Sequence, residues 1–176
     1  GYTNAYNFMD GINGISAFQL IVAGGTWVIS GHLADHSGLV GAGGLTIAAA
    51  AGFMPWNFPH ARFFMGDVGS YFCGAWIAAV TVVGLSAGIR PWPLLGAVGV
   101  YVADTAFTLA SRMLRGEDWL QSHRSHVFQR LVGAGWSHGR TNAFFVAISV
   151  CLVAVGVPTS GQSIALISNI AYNLSM

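Results

Sequence analysis

Long uncharged stretches alternate with short polar ones along the whole chain. A helix of about 20 apolar residues is long enough to cross the hydrocarbon core of a bilayer. The pattern therefore predicts an all-α protein, a polytopic helical bundle in the membrane with about six spans. The predicted spans are 12–30, 37–54, 68–89, 92–110, 141–157 and a shortened sixth at 163–176.

Composition supports the same class of protein. Hydrophobic residues make up 54% of the chain, charged residues make up 7%, and the mean hydropathy is +0.60. A soluble domain has about 25% charged residues. The net charge of +1 gives no basic surface for nucleic acid, so a lipid bilayer is the predicted partner and nucleic acid is not.

The arginines are distributed unevenly between the two sides of the predicted bundle. Successive spans run in opposite directions, so successive connections lie on alternate sides. One side carries six arginines and the other only Arg90, which places the first side in the cytoplasm by the positive-inside rule. Three polar stretches meet on that cytoplasmic side and could form one site. The six arginines are Arg62, Arg112, Arg115, Arg124, Arg130 and Arg140.

The first polar stretch repeats a polar residue at every third position. Asn4, Asn7, Asp10 and Asn13 follow one another at this spacing. On a helix, neighbours three apart share a face, so adjacent pairs can act together. The alternative is an Asp-Gly turn that caps the first span.

The second polar stretch, 63–70, is a turn with one carboxylate. Asp67 lies between Gly66 and Gly69, where backbone can approach a ligand closely. Asp10 and Asp67 each precede a predicted span, and helix N-termini attract anions such as phosphate. Two carboxylates would repel that anion, and a bridging Mg²⁺ would resolve the conflict. A helix cap is again the alternative for Asp67.

The third polar stretch, 121–131, is rich in arginine and histidine. If it is helical, His123, His126 and Arg130 lie near one face and could bind phosphate or transfer protons. The alternative is a set of solvated charges that follows the positive-inside bias. Asp104 lies inside the fourth predicted span. It is either a functional intramembrane carboxylate or a buried hydrogen-bonding partner of a neighbouring helix.

These motifs together resemble one family. Residues 4–14 are similar to the NxxNxxDGxxG segment of the polyprenyl-phosphate N-acetylhexosamine-1-phosphate transferases (glycosyltransferase family 4), and residues 57–70 resemble their N…FMGDxGS segment. Residues 123–131 are similar to the histidine loop of the branch that initiates O-antigen and related glycans, more than to the peptidoglycan branch. The resemblance covers nearly the whole chain.

The resemblance implies an activity. A Mg²⁺-dependent transferase, with Mn²⁺ as an alternative metal, moves N-acetylhexosamine-1-phosphate from a UDP-sugar to undecaprenyl phosphate and releases UMP. This step initiates O-antigen or another cell-envelope polysaccharide. The implied location is the bacterial inner membrane, multi-pass, with the active site in the cytoplasm; family members are often homodimers. Residues 1–176 would be one membrane domain, the C-terminal part of a larger enzyme whose missing spans carry an aspartate pair.

The resemblance also implies residue roles. Phe64 would stack on uracil, and Asn7, Asn57 and Asp10 would line the nucleotide pocket. The implied catalytic residues are Asp10, Asp67, His123 and His126, with Asp67 as the metal ligand. The implied substrate-binding residues are Asn7, Asn13, Asn57, Phe64, Arg124 and Arg130.

Two other functions are compatible with parts of the sequence. A transporter would explain Asp104 and the glycine-rich spans, although most of the polarity lies at one surface rather than at mid-membrane. A catalytically incomplete fragment, lacking the earlier aspartate pair, would fold without catalysing the reaction alone.

Overall fold

The computed structural model describes residues 1–116 and 126–156. These two ranges contain seven α-helices and no strand, which confirms the predicted all-α class. The sixth predicted span lies outside them. The helices are α1 (Tyr2–Met9), α2 (Ile15–Leu33), α3 (Ser37–Asn57), α4 (Gly66–Ser86), α5 (Pro91–Leu114), α6 (Val127–Gly133) and α7 (His138–Gly156).

Four helices in the described ranges are long and apolar enough to cross a membrane. They are α3, α4, α5 and most of α7, and they correspond to the second to fifth predicted spans. The predicted bounds need correction by a few residues. Helix α5, for example, continues to Leu114 rather than ending near residue 110. The chain is therefore a multi-pass membrane protein.

Helix α2 corresponds to the first predicted span but differs from the other four. It begins at Ile15 rather than at residue 12, and it lies inside the bundle against α3, α5 and α7. Most of its polar side chains, among them Gln19 and Thr26, are buried. Gln19 Nε2 donates to the carbonyl of Ala97 on α5, and Thr26 Oγ1 donates to the carbonyl of Val22. A helix enclosed by other helices can carry such polar groups because they find partners there.

Helices α2 and α3 run antiparallel and touch backbone to backbone at two glycines. A Cβ added to Gly43 would lie 2.5 Å from the carbonyl oxygen of Gly24 and 2.8 Å from Val28 Cγ2. A Cβ added to Gly24 would lie 2.8 Å from the carbonyl oxygen of Gly43. Small residues at such a contact allow the close approach that stabilises helix pairs in membranes.

One end of the bundle collects the polar segments. The backbone N–H of Gly14, just before α2, donates to Asn57 Oδ1 at the end of α3, 2.7 Å away. Asn7 Nδ2 of α1 donates to Asp67 Oδ1 in the first turn of α4, 3.0 Å away. The structure thus confirms that the first and second polar stretches lie on the same side.

The glycine contact gives a stability test. Gly43→Ala should lower the free energy of unfolding by about 1–3 kcal/mol, because the new methyl group overlaps a backbone carbonyl that cannot move away cheaply. Thermal unfolding of the detergent-solubilised protein measures the change. Gly44→Ala is the matched control, since a Cβ there meets nothing within 4 Å. Equal unfolding midpoints for the two variants would contradict the tight α2–α3 contact.

Candidate active site

A polar cavity of about 150 Å³ opens at this end of the bundle. Two regions far apart in sequence form it: α1 with the turn that follows it, and the end of α3 with the loop and first turn of α4. Both carboxylates of the first two polar stretches face it. The lining residues are Asn7, Asp10, Gly11, Ile12, Asn57, Phe64, Met65, Gly66 and Asp67.

Asp67 is exposed and is held by a neighbouring amide. It is the second residue of α4 and not, as predicted, the residue before the helix; Met65 is the N-cap, and no side chain caps α4. Asn7 Nδ2 donates to Asp67 Oδ1 at 3.0 Å and to Ser70 Oγ at 2.8 Å. Gly66 has a φ of +65°, a conformation that favours glycine. Asn7 and this turn together aim the carboxylate at the cavity.

Asp10 lies in a turn and not on a continuous helical stripe. Helix α1 ends at Met9, so the predicted three-residue spacing does not place Asp10 and Asn13 on one helix face. Ser16 Oγ donates to Asp10 Oδ1 at 2.6 Å. Burial raises the pKa of the Asp10 carboxyl above its ordinary value; the Ser16 hydrogen bond lowers this pKa, and nearby Asp67 raises it. The two carboxylates therefore interact across the cavity.

Two asparagines tie the walls of the cavity together. Asn57 is buried; its Oδ1 accepts from the Gly14 N–H, and its Nδ2 donates to the carbonyl of Phe63 at 2.9 Å. Asn13 does not line the cavity, and its Nδ2 donates to the carbonyl of Pro59 at 3.0 Å. Both amides thus connect the turn before α2 with the loop before α4.

The hydrogen bonds of Asn57 and Asn13 form a frame around the cavity. Helix α7 supports this frame through two residues that the sequence motifs did not indicate. His138 Nδ1 accepts from the Asn13 N–H at 3.3 Å, and Asn142 Nδ2 donates to the Asn13 carbonyl at 2.7 Å. Their spacing of four residues on one helix face was the available signal. Ser16 and Ser70, which bond Asp10 and Asn7, were missed as well.

Phe64 stands at the rim of the cavity with 75% of its surface exposed. An aromatic ring this open in a polar turn has no role in packing the core. The face of the ring is therefore available for a planar ligand.

The third polar stretch meets the bundle at His126. This side chain is buried, and its Nδ1 lies 2.7 Å from Asp104 Oδ2. Asp104 has the buried hydrogen-bonding role that was one of its two interpretations. His126 is the N-cap of α6, and Arg130 is exposed, so these two do not present one shared face to a ligand. His123 and Arg124 lie outside the described residues.

The donor set of the cavity fits Mg²⁺. Within residues 1–116 and 126–156, no group of three or more His, Cys, Asp or Glu side chains converges. Mg²⁺ is typically bound by one or two carboxylates together with phosphates and water. Asp67 and Asp10 supply the carboxylates, and their mutual repulsion would be relieved by a divalent cation.

Fold and site together define a polytopic helical membrane protein with a carboxylate-lined cavity at one end of the bundle. Residues 1–85 match the model of the family described as Glycosyl transferase family 4. The chain belongs to this family.

Curated relatives have related names. The chain is 30% identical over 141 residues to a probable undecaprenyl-phosphate N-acetylglucosaminyl 1-phosphate transferase of Bacillus subtilis, covering 78% of this chain and 39% of that protein. It is 31% identical over 179 residues to the decaprenyl-phosphate N-acetylglucosaminephosphotransferase of Mycolicibacterium smegmatis (89% and 44%). It is 33% identical over 161 residues to the phospho-N-acetylmuramoyl-pentapeptide-transferase of Enterococcus faecalis (89% and 47%).

The chain spans less than half the length of these relatives. The relatives come from both branches of the family at similar identity, so the similarities do not distinguish the predicted O-antigen branch from the peptidoglycan branch.

The frame residue Asn57 gives a test that does not depend on activity. Asn57→Ala leaves the Gly14 N–H and the Phe63 carbonyl without their partner. We expect amide hydrogen exchange at Gly14 and across 58–66 to accelerate about tenfold, since losing such a buried bond costs roughly 1–3 kcal/mol. His60→Ala, an exposed change in the same loop, is the control. Unchanged protection in Asn57→Ala would show that this amide does not hold the two walls together.

Proposed function

We propose that this chain carries the nucleotide-binding and metal-binding site of a polyprenyl-phosphate N-acetylhexosamine-1-phosphate transferase. In the proposed reaction a phosphate oxygen of undecaprenyl phosphate attacks the sugar-linked phosphorus of a UDP-N-acetylhexosamine, and UMP leaves. The single observation that carries the proposal is the cavity, where Asp10 meets Phe64 and Asp67 from a segment more than 50 residues later in the chain.

The electrostatics of the cavity suit a diphosphate. Helices α2 and α4 both begin at this end, and each N-terminus carries a partial positive charge that favours anions. Asp67, with Asp10 beside it, would hold Mg²⁺, which when bound neutralises phosphate charge and stabilises the charge that develops on the transferred phosphoryl group. The membrane end of the cavity is where a lipid phosphate would be presented.

The chain's own residues have separable tasks in this proposal. Asn7 orients the Asp67 carboxylate through its hydrogen bond. Phe64 offers its exposed ring to the uracil base. Asn57 and Asn13 hold the walls in place. Arg130, exposed on α6, would supply positive charge to the diphosphate or sugar, as would His123 and Arg124, which lie outside the described residues.

The cellular setting is part of the proposal. Six of seven arginines belong to the predicted connections on the side of the cavity, which supports a cytoplasmic site in the bacterial inner membrane. The product would begin a lipid-linked glycan such as O-antigen. A transporter is less well supported, because Asp104 is engaged by His126 and by the Val127 N–H and does not face an open path.

The metal role of Asp67 is tested by labelled UMP exchange in the complete gene product across a Mg²⁺ titration. Asp67→Asn should lower the exchange rate at least about 100-fold, equivalent to roughly 2.7 kcal/mol of transition-state stabilisation. Asp35→Asn, a carboxylate near the opposite end of α2, should leave the rate unchanged. Full exchange by a folded Asp67→Asn variant would contradict the metal role. No exchange by the unaltered protein with any UDP-N-acetylhexosamine would contradict the proposed function.

The stacking role of Phe64 gives a second kinetic test. Phe64→Leu should raise the KM for the UDP-sugar about tenfold, because stacking on a base contributes roughly 1–3 kcal/mol, and should leave kcat nearly unchanged. Steady-state kinetics at saturating lipid phosphate measure both constants. Phe72→Leu, at a ring on α4 that is 69% exposed, is the matched control. A kcat effect without a KM effect would argue against stacking in the bound state.

A further inference from the structure

Asp104 and His126 form a buried pair between α5 and the start of α6. Asp104, on α5, is 6% exposed, and His126 is 3% exposed. Both carboxylate oxygens are used: Oδ2 lies 2.7 Å from His126 Nδ1, and Oδ1 accepts from the Val127 N–H at 2.8 Å. One membrane-helix side chain thus holds both the residue that precedes α6 and the first amide of that helix.

This geometry dictates which imidazole nitrogen carries a proton. An ionised carboxylate can only accept hydrogen bonds, so His126 Nδ1 must be the donor. In a neutral ring, Nε2 is then without a proton and is an acceptor. An unpaired charge is costly to bury. The hydrogen bond therefore stabilises both the ionised carboxylate of Asp104 and the protonated Nδ1 of His126.

Two aromatic rings restrict the imidazole further. The ring centroids of Phe8 on α1 and Phe128 on α6 each lie 6.0 Å from that of His126, in stacked orientations. In addition, the His126 N–H donates to Gln129 Oε1 at 3.2 Å, which closes the first turn of α6. The histidine is therefore held in one orientation.

The pair reaches the cavity through Phe128. The ring of Phe128 lies directly against Gly11, where an added Cβ would be 2.7 Å from Phe128 Cζ. Gly11 lines the cavity and follows Asp10 in the chain. Displacing α6 would therefore move the wall that carries the Asp10 carboxylate.

We propose that Asp104 is a positioning residue, which holds His126 in the Nδ1–H tautomer and, through α6 and Phe128, holds the Gly11 wall of the active-site cavity. The consequence for catalysis rests on the proposed function, whereas the tautomer does not. In Asp104→Asn, the Oδ1 acceptor remains for Val127. The amide Nδ2 then faces His126 Nδ1, which must accept, so the proton moves to Nε2.

The tautomer is measured by ¹H–¹⁵N correlation of ring nitrogens in the complete, ¹⁵N-histidine-labelled protein in detergent. His126→Gln identifies the signal. We expect a protonated Nδ1 in the unaltered protein and a protonated Nε2 in Asp104→Asn. A protonated Nε2 in the unaltered protein, or no exchange of tautomer in the folded variant, would overturn the assignment. If Asp104→Asn does not fold, the spectrum of the unaltered protein still decides.

The positioning role is measured separately by UMP exchange. Asp104→Asn, shown to be folded by its thermal unfolding, should lose about 10- to 100-fold in kcat, the usual cost of removing a supporting hydrogen bond behind an active site. Thr105→Val is the control, since this buried hydroxyl on α5 has no hydrogen-bond partner within residues 1–116 and 126–156. A changed tautomer with full activity would overturn the positioning role. Inactivity of the unaltered protein would instead contradict the proposed function, and the tautomer result would be unaffected.

Discussion

Hydrocarbon offers no partner to a backbone N–H or C=O group, and this constraint shapes the whole molecule. Inside the membrane the chain must be helical, so non-helical backbone collects at the ends of the bundle. The turn at 10–14 and the loop at 58–65 both lie at one such end. Carboxylates, amides and helix N-termini are therefore concentrated there, although they belong to segments that are not adjacent in the sequence.

That concentration has an electrostatic consequence. Asp10 and Asp67 line one small cavity, and burial together with the neighbouring charge raises the pKa of Asp10. Two carboxylates beside two helix N-termini make a place where a divalent cation and phosphates balance each other's charges. The amides of Asn7 and Asn57 hold this arrangement by hydrogen bonds between elements rather than by apolar packing.

The same need for hydrogen-bond partners applies to the buried pair of Asp104 and His126. A carboxylate in α5 is tolerated because both of its oxygens have donors. Its partner lies next to α6, whose Phe128 contacts the cavity wall at Gly11. Asp104 does not line the cavity, but it can thus influence the shape of the cavity through His126, Val127 and Phe128.

The sequence alone determined the class of protein and the approximate position of its spans, because apolar length and charge distribution are local properties. Its contiguous motifs also indicated Asp10 and Asp67, and the family resemblance added Phe64; all three line the cavity. Only the tertiary structure decided which polar residues face the cavity. Asn13 connects the walls instead of lining it, His126 is buried on Asp104, and His138 and Asn142 of α7 support the frame. Such roles depend on contacts between residues up to 129 positions apart, which no local pattern encodes.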